Sequence, residues 1–367
     1  MRLVFDTPSW FYSKKNSDWQ MKLKLAAGLN AFSPEIQKGF IYIILYSAKF
    51  ILPRFFPKRF SISIQKVVSR LIGKILSRDE SFCFLTQSLI PPIPKGAKVI
   101  WETYFLPPSD EKSLLEFRRG GRNIWIRAIE EFGPQVSKIA VRGESSVKLL
   151  CEMYPEFSDK VVNLSFIHKE FYIARESEVL QKQKMDGALN ITFVGRESRR
   201  KGLVELIAAL KILRNELGVC NFVFNIVSNF NDGIVELPNE DWINYYKELP
   251  HNEVLHLMQK SQLFVMPSHF ESYGLVYLEA MAAGCVVIAR DGEPQREFMN
   301  YGHAGFNINA SDVKGIAKIL EMILQDSDLR CRIAVAAVER YKVLYSQARV
   351  YEDWVKVLNE ILQESQK

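Results

Sequence analysis

Short apolar runs alternate with amphipathic stretches along the second half of the chain. Asn190–Val194, Phe222–Val227, Leu263–Met266 and Cys285–Ala289 are compact, largely apolar segments bounded by turn residues, the signature of strands buried on both faces. Between and after them, Leu203–Leu217, Asn252–Lys260, Tyr273–Ala283 and Val313–Gln325 repeat apolar positions at helical spacing. Gly284 stands where a helix C-terminal glycine belongs. This regular βα alternation predicts a parallel sheet, with a ligand at the carboxyl ends of its strands. Two further helices, near Asp328–Tyr345 and Ala348–Leu362, close the chain.

The first half is less regular. Arg2–Asp6, Phe82–Leu85, Lys98–Trp101, Ile139–Val141 and Val161–Leu164 read as strands, Trp19–Leu29 and Ser145–Cys151 as helices, again an α/β pattern. Arg175–Gly187 is polar and lacks a β-branched run, so it reads as a linker. A chain of 367 residues exceeds what one hydrophobic core usually serves. The expected division is residues 1–175, a linker at 176–188, a second domain at 189–345 and a terminal helix at 346–367.

Composition narrows this little: 48% hydrophobic and 25% charged residues describe an ordinary globular chain. The net charge of +6 matters more for where it lies. From Ile36 to Arg78 there are nine lysines and arginines and no acid, threaded with aromatic and aliphatic residues. Such a stretch suits the surface of an anionic membrane; core helices with basic polar faces are the alternative. The longest apolar run, Phe40–Leu52, contains Lys49 and is shorter than the roughly 20 residues a spanning helix needs. The N-terminus, MRLVFDTPSWFYSKK, shows no signal-peptide pattern. Five scattered cysteines without CxxC spacing point to a reducing, cytoplasmic setting. The histidines lack zinc-type spacing; His251 and His256 fall on a predicted surface helix. No metal site, dinucleotide fingerprint or nucleic-acid module is expected.

Two segments carry candidate chemistry. Ile191–Arg196 ends a strand at Gly195, and Lys201-Gly202 opens a helix. A glycine lets backbone approach a ligand, and cations at a helix N-terminus suit a diphosphate. Pro267–Gly284 places Glu271 in the loop after a strand and Glu279 about one and a half turns into the following helix. An ionised carboxylate only accepts hydrogen bonds, so one of the pair suits ribose hydroxyls and the other sugar hydroxyls. Between them, amides around Gly274 and Leu275 are placed to face a phosphate.

Pro267–Gly284, followed by Cys285–Ala289 and Asp291-Gly292, Glu297, Gly302 and Gly305, resembles the signature of the retaining family 4 glycosyltransferases, and Gly195-Arg196 with Lys201-Gly202 resembles that family's phosphate-binding element. The resemblance is specific over 190–310 and faint in the first half, at Ile139–Ser145 and Val161–Ile167. It implies a GT-B fold, with two Rossmann-like lobes facing a cleft and the last helix packing back on the first lobe. It further implies a nucleotide-sugar donor on the second lobe, a glycan or lipid-linked acceptor on the first, retention of configuration and no metal or other cofactor. Carried over by motif, Arg196 and Lys201 neutralise the diphosphate, Glu279 holds the ribose, Glu271 contacts the transferred sugar, and Gly274 and Leu275 complete the phosphate cradle. Gly195, His269, Ser272 and Tyr273 complete the expected donor site. Two features depart from the family: Thr7–Asp18 has no glycine, and Val99–Tyr104 has no histidine. Glu102, Arg142 and Glu144 are the acceptor-side candidates. A non-catalytic sugar-nucleotide-binding subunit is the main rival, and a phosphorylase or epimerase on the same fold is another.

Overall fold

A computed structural model of the chain describes residues 2–5, 33–35, 67, 82–86, 98–103, 129–130, 133–166, 168, 170–229 and 240–364. It divides into two compact units, Met1–Lys169 with Val350–Lys367, and Glu170–Arg349.

The first unit holds a parallel sheet of six strands: β1 (Arg2–Phe5), β2 (Ser33–Glu35), β3 (Phe82–Thr86), β4 (Lys98–Glu102), β5 (Lys138–Val141) and β6 (Val161–Asn163), in the order β2-β1-β3-β4-β5-β6. Val99–Glu102 and all of β5 are buried, as a parallel sheet covered on both faces requires. Helix α1 (Glu144–Met153) follows β5. The chain's last helix spans Gln347–Glu364, and Val350, Trp354, Val357, Leu358 and Ile361 form its buried stripe, the i, i+4, i+7 pattern of an amphipathic helix. Trp354 Nε1 donates to the Ser165 carbonyl at 3.0 Å and Lys138 Nζ lies 3.4 Å from Glu360, so the C-terminal residues are part of this unit.

The second unit holds β7 (Leu189–Val194), β8 (Phe222–Val227), β9 (Ile243–Tyr246), β10 (Leu263–Met266), β11 (Val286–Arg290) and β12 (Phe306–Ile308), all parallel, in the order β12-β11-β10-β7-β8-β9. This is a doubly wound sheet, and its strand order reverses between β7 and β10. In chain order its helices are α2 (Glu176–Gln183), α3 (Leu203–Asn215), α4 (His251–Lys260), α5 (Leu275–Ala282), α6 (Gln295–Phe298), α7 (Val313–Gln325) and α8 (Ser327–Leu344); the terminal helix of the first unit is α9.

The expected linker at 176–188 is overturned, because most of it is α2. Polarity misleads here. Val179 and Gln183, four apart, are fully buried, and Gln183 Nε2 donates to the carbonyls of Gln262 and Gly284, each at 3.0 Å. Lys182 Nζ donates to the Ala283 carbonyl at 2.7 Å, and burial pushes its pKa down. Polar side chains of α2 thus satisfy carbonyls flanking β10 and β11. At its start Arg175 and Glu178 form a capping box, and the Arg175 side chain, with Tyr172 adding, pulls the Glu178 carboxyl down to about 2.

Three strands went unread: β2 (Ser33–Glu35) in the first unit, and β9 and β12 in the second. β9 is only half-buried, without an apolar run, and β12 has three residues. Helix α5 begins at Leu275 rather than Tyr273, because Gly274 takes a left-handed conformation at φ 83°. The basic stretch Ile36–Arg78, apart from residue 67, lies outside the described residues, as do Thr7–Asp18 and Trp19–Leu29. Among the described residues no helix is long and apolar enough to cross a membrane.

Candidate functional site

The chain leaves β7 through Gly195–Gly202 and β10 through Pro267–Gly274. These two loops are therefore neighbours at the carboxyl ends of adjacent strands where the sheet order reverses, the usual ligand position of such sheets. They also touch directly. Gly202 is left-handed at φ 75°, and a Cβ there would sit 2.3 Å from the Pro267 carbonyl oxygen. His269 N donates to the Arg200 carbonyl at 2.9 Å, and Arg200 Nη1 returns a bond to the Phe270 carbonyl at 2.7 Å. His269 Nε2 lies 2.9 Å from Glu205 Oε1 on α3. Gly202→Ala combines left-handed strain with a backbone clash and is expected to cost about 2–4 kcal/mol, read as a lower unfolding midpoint in urea.

Glu271 lies at the centre of this junction, its side chain 9% exposed. Lys201 Nζ donates to Glu271 Oε2, and Arg200 Nη1 lies 3.9 Å from the same oxygen. Arg290 Nη1 reaches the Glu271 carbonyl at 3.4 Å, with its guanidinium over the Phe270 ring at 5.8 Å. The Lys201 stem passes so close to Gly195 that a Cβ there would meet its Cγ at 3.0 Å. Arg196 is exposed. A carboxylate and several cations are thus gathered beside the N-terminus of α3, where orphan amides and the helix dipole already favour an anion.

Gly274 gives the same loop its exit into α5: a Cβ there would lie 2.6 Å from the Tyr277 ring and 3.0 Å from Glu271 Cγ. Tyr277 is fully buried, and its hydroxyl donates to the Met266 carbonyl at 2.7 Å. That bond pins α5 to the end of β10, with Gly274, just before the helix start, beside Glu271. Ser272 is half-buried. Tyr273, expected at the donor, is 2% exposed, and its ring meets Phe298 edge-on at 5.0 Å; the ring is a packing element, and its carbonyl accepts from Gln295 Nε2 at 2.7 Å.

Glu279 projects from the middle of α5, four residues past Leu275, hence about 40° around the axis and roughly 6 Å along it. Its side chain is 12% exposed and its Oε1 lies 2.9 Å from His251 Nε2. Tyr341 of α8 is close enough that, after burial, the Glu279 charge helps to raise its phenol pKa.

The acceptor-side candidates behave differently. Glu102 and Arg142 are both buried and ion-paired with one another. Arg142 Nη1 also donates to the Leu164 carbonyl, and its guanidinium stacks 4.1 Å from the Phe166 ring centre. This pair ties β4 and β5 to the segment after β6. Both side chains are buried, Glu102 at 0% and Arg142 at 3% exposure. Glu144 begins α1, is exposed, and accepts from Asn163 Nδ2 at 2.7 Å.

Sequence reading missed Arg200, Arg290 and Glu205 as neighbours of the site; His251 it placed at the end of a loop, Lys247–His251, read as a source of base recognition, without its Glu279 partner. Only Arg200 had a local signal, its adjacency to Lys201; the others come from separate loops and helices.

The family model described as "Glycosyl transferases group 1" matches residues 175–340, which contain every donor-side candidate. An uncharacterised 41.2 kDa protein in the cps region of Klebsiella pneumoniae is 30% identical over 146 residues, 40% of this chain and 38% of that one. The capsular polysaccharide biosynthesis glycosyltransferase CapM of Staphylococcus aureus is 25% identical over 193 residues, 48% of this chain and 47% of that one. The chain thus matches less than half the length of either relative. Among solved structures, Anabaena HepE in complex with UDP and glucose aligns at a TM-score of 0.63 with 14% identity, covering 98% of this chain and 100% of that one. The fold is GT-B: two α/β units, each on a parallel sheet.

Proposed function

We propose that the protein is a glycosyltransferase that moves a sugar, with retention and without a metal, from a nucleotide-diphosphate donor to a glycan or lipid-linked acceptor in cell-surface polysaccharide synthesis. One observation carries the reading: Lys201, Arg200 and Glu271 converge where β7 and β10 end, between the starts of α3 and α5. A nucleoside diphosphate fits this charge pattern. Lys201 and Arg196 take the diphosphate, joined by the first amides of α5 at Leu275. Negative charge grows on the leaving phosphate as the glycosidic bond breaks, and fixed cations and amides stabilise it in place. Glu271 accepts hydrogen bonds from the transferred sugar and Glu279 from the ribose. The UDP and glucose held by HepE, and the capsular role in the name of CapM, agree with this chemistry.

The test is a calorimetric titration of the whole chain with UDP, GDP and ADP and their common sugars. Saturable binding of one nucleotide family, followed by sugar transfer to an acceptor panel, is the expected result; no binding by any nucleotide overturns the proposal. A second reading, a non-catalytic partner subunit, is favoured by the closure of Glu102 and Arg142 on each other; binding without turnover on any acceptor is its outcome. The basic stretch Ile36–Arg78 is proposed to rest on the cytoplasmic leaflet, near a lipid-linked acceptor. Cosedimentation with anionic liposomes at low salt, weakening as salt rises, is expected, and no association at low salt overturns it.

A further inference from the structure

We propose that His251 is the positioning residue of the nucleotide site: it orients the Glu279 carboxylate for the ribose and thereby sets how strongly the ribose hydroxyls are read. This rests on the donor-site reading above. His251 belongs to neither candidate loop. It arrives from the connection between β9 and α4, as the first residue of α4 immediately after Pro250. Proline fixes its own φ, and its carbonyl accepts from Glu253 N at 2.9 Å and Val254 N at 3.1 Å, so the direction in which α4 starts is locked. The result is an imidazole nitrogen 2.9 Å from Glu279 Oε1.

The physical need for such a partner is specific. A glutamate on a helix turns freely about its terminal torsion. Ligand binding then has to order it, and that entropy is subtracted from the affinity. A hydrogen bond to one oxygen removes the freedom beforehand. It leaves Oε2 as the acceptor for a ligand hydroxyl and directs the His251 Nε2 proton to the carboxylate.

The pair is not required for docking α4 on α5. Val254 and Met258 are buried along α4, and the Cys285 thiol donates to the Met258 carbonyl at 3.1 Å. The His251 side chain is 55% exposed and that of Glu279 12%, and an ion pair with one partner open to water contributes little to stability. Its geometry at a functional carboxylate is therefore its informative property.

The experiment compares wild type, His251→Ala and His251→Gln in titrations with the preferred nucleoside diphosphate and with its 2′-deoxy and 3′-deoxy analogues. Gln keeps an N–H donor near the position of Nε2. His251→Ala is expected to weaken the ribonucleotide about 5–10-fold and His251→Gln to restore most of the loss. For whichever analogue lacks the hydroxyl that Glu279 accepts, wild type and His251→Ala should bind within twofold of each other. In turnover, the donor KM should rise more than kcat falls. Equal losses for ribose and both deoxyriboses, no loss at all, or a large drop in the ligand-free melting temperature of His251→Ala would each assign His251 a structural role and overturn the proposal. Failure of the wild-type protein to bind any nucleoside diphosphate is a separate result: it removes the donor-site reading itself, and this inference with it.

Discussion

Lys201→Ala is expected to lower turnover with a nucleotide-sugar donor by about 10²–10³-fold while the protein stays folded. The magnitude is that of removing one fixed group from a developing oxyanion, roughly 3–4 kcal/mol of transition-state stabilisation. Folding should survive because the Glu271 carboxylate keeps Arg200 at 3.9 Å, so it is not left among apolar groups alone. The companion variant changes in the opposite sense for binding. In the ligand-free protein Glu271 occupies Lys201; Glu271→Gln keeps the shape but releases the ammonium. It should therefore tighten binding of the nucleoside diphosphate a few-fold, about 1 kcal/mol, and still lower turnover, because the proposed contact of Glu271 with the sugar would be weakened. Steady-state kinetics and calorimetry on the two variants check both signs. Turnover by Lys201→Ala within tenfold of wild type would remove Lys201 from the chemistry.

Glu102→Ala should destabilise the first unit by about 3–5 kcal/mol, the usual cost of leaving one charge of a buried pair unmatched. Arg142 would remain 3% exposed, with the Leu164 carbonyl and the face of Phe166 to answer its charge among the described residues. The double replacement Glu102→Leu with Arg142→Met should recover most of the loss, since well-packed apolar groups often replace a buried ion pair without penalty. Urea unfolding followed by intrinsic fluorescence measures this, with Trp101 and Trp354 both buried in this unit. Nucleotide affinity, proposed to belong to the second unit, should change little. Unaltered stability with lost acceptor use would instead return Glu102 to the acceptor side.

The α/β pattern of both halves was legible because each buried strand and each amphipathic helix imprints its burial on consecutive residues. Leu263–Met266 is wholly buried and reads as an apolar run; α7 has an N-cap Asp312 bonded to Gly315 N at 2.9 Å and buries Ile316, Ala317, Leu320 and Ile323, all written at helical spacing. The candidate loops were legible for a similar local reason. Gly202 and Gly274 each stand where the chain must turn left-handed into a helix, and Lys201 and Glu271 are their near neighbours in sequence.

The partnerships were not legible. Lys201 and Glu271 are 70 residues apart, Glu102 and Arg142 40, His251 and Glu279 28, and no local spacing predicts any of them. Each depends on the order in which strands lie side by side, above all the adjacency of β7 and β10, and that order is chosen by the burial of whole sheet faces. The same cause made α2 look like a linker, since its polar residues find backbone carbonyls only after β10 and β11 are in place. The sequence by itself determined where strands, helices and turning glycines fall, because burial periodicity and backbone strain act on neighbours along the chain. Only the tertiary structure decided which charges meet, because hydrogen bonds and ion pairs act over a few ångströms of space whatever their separation in sequence.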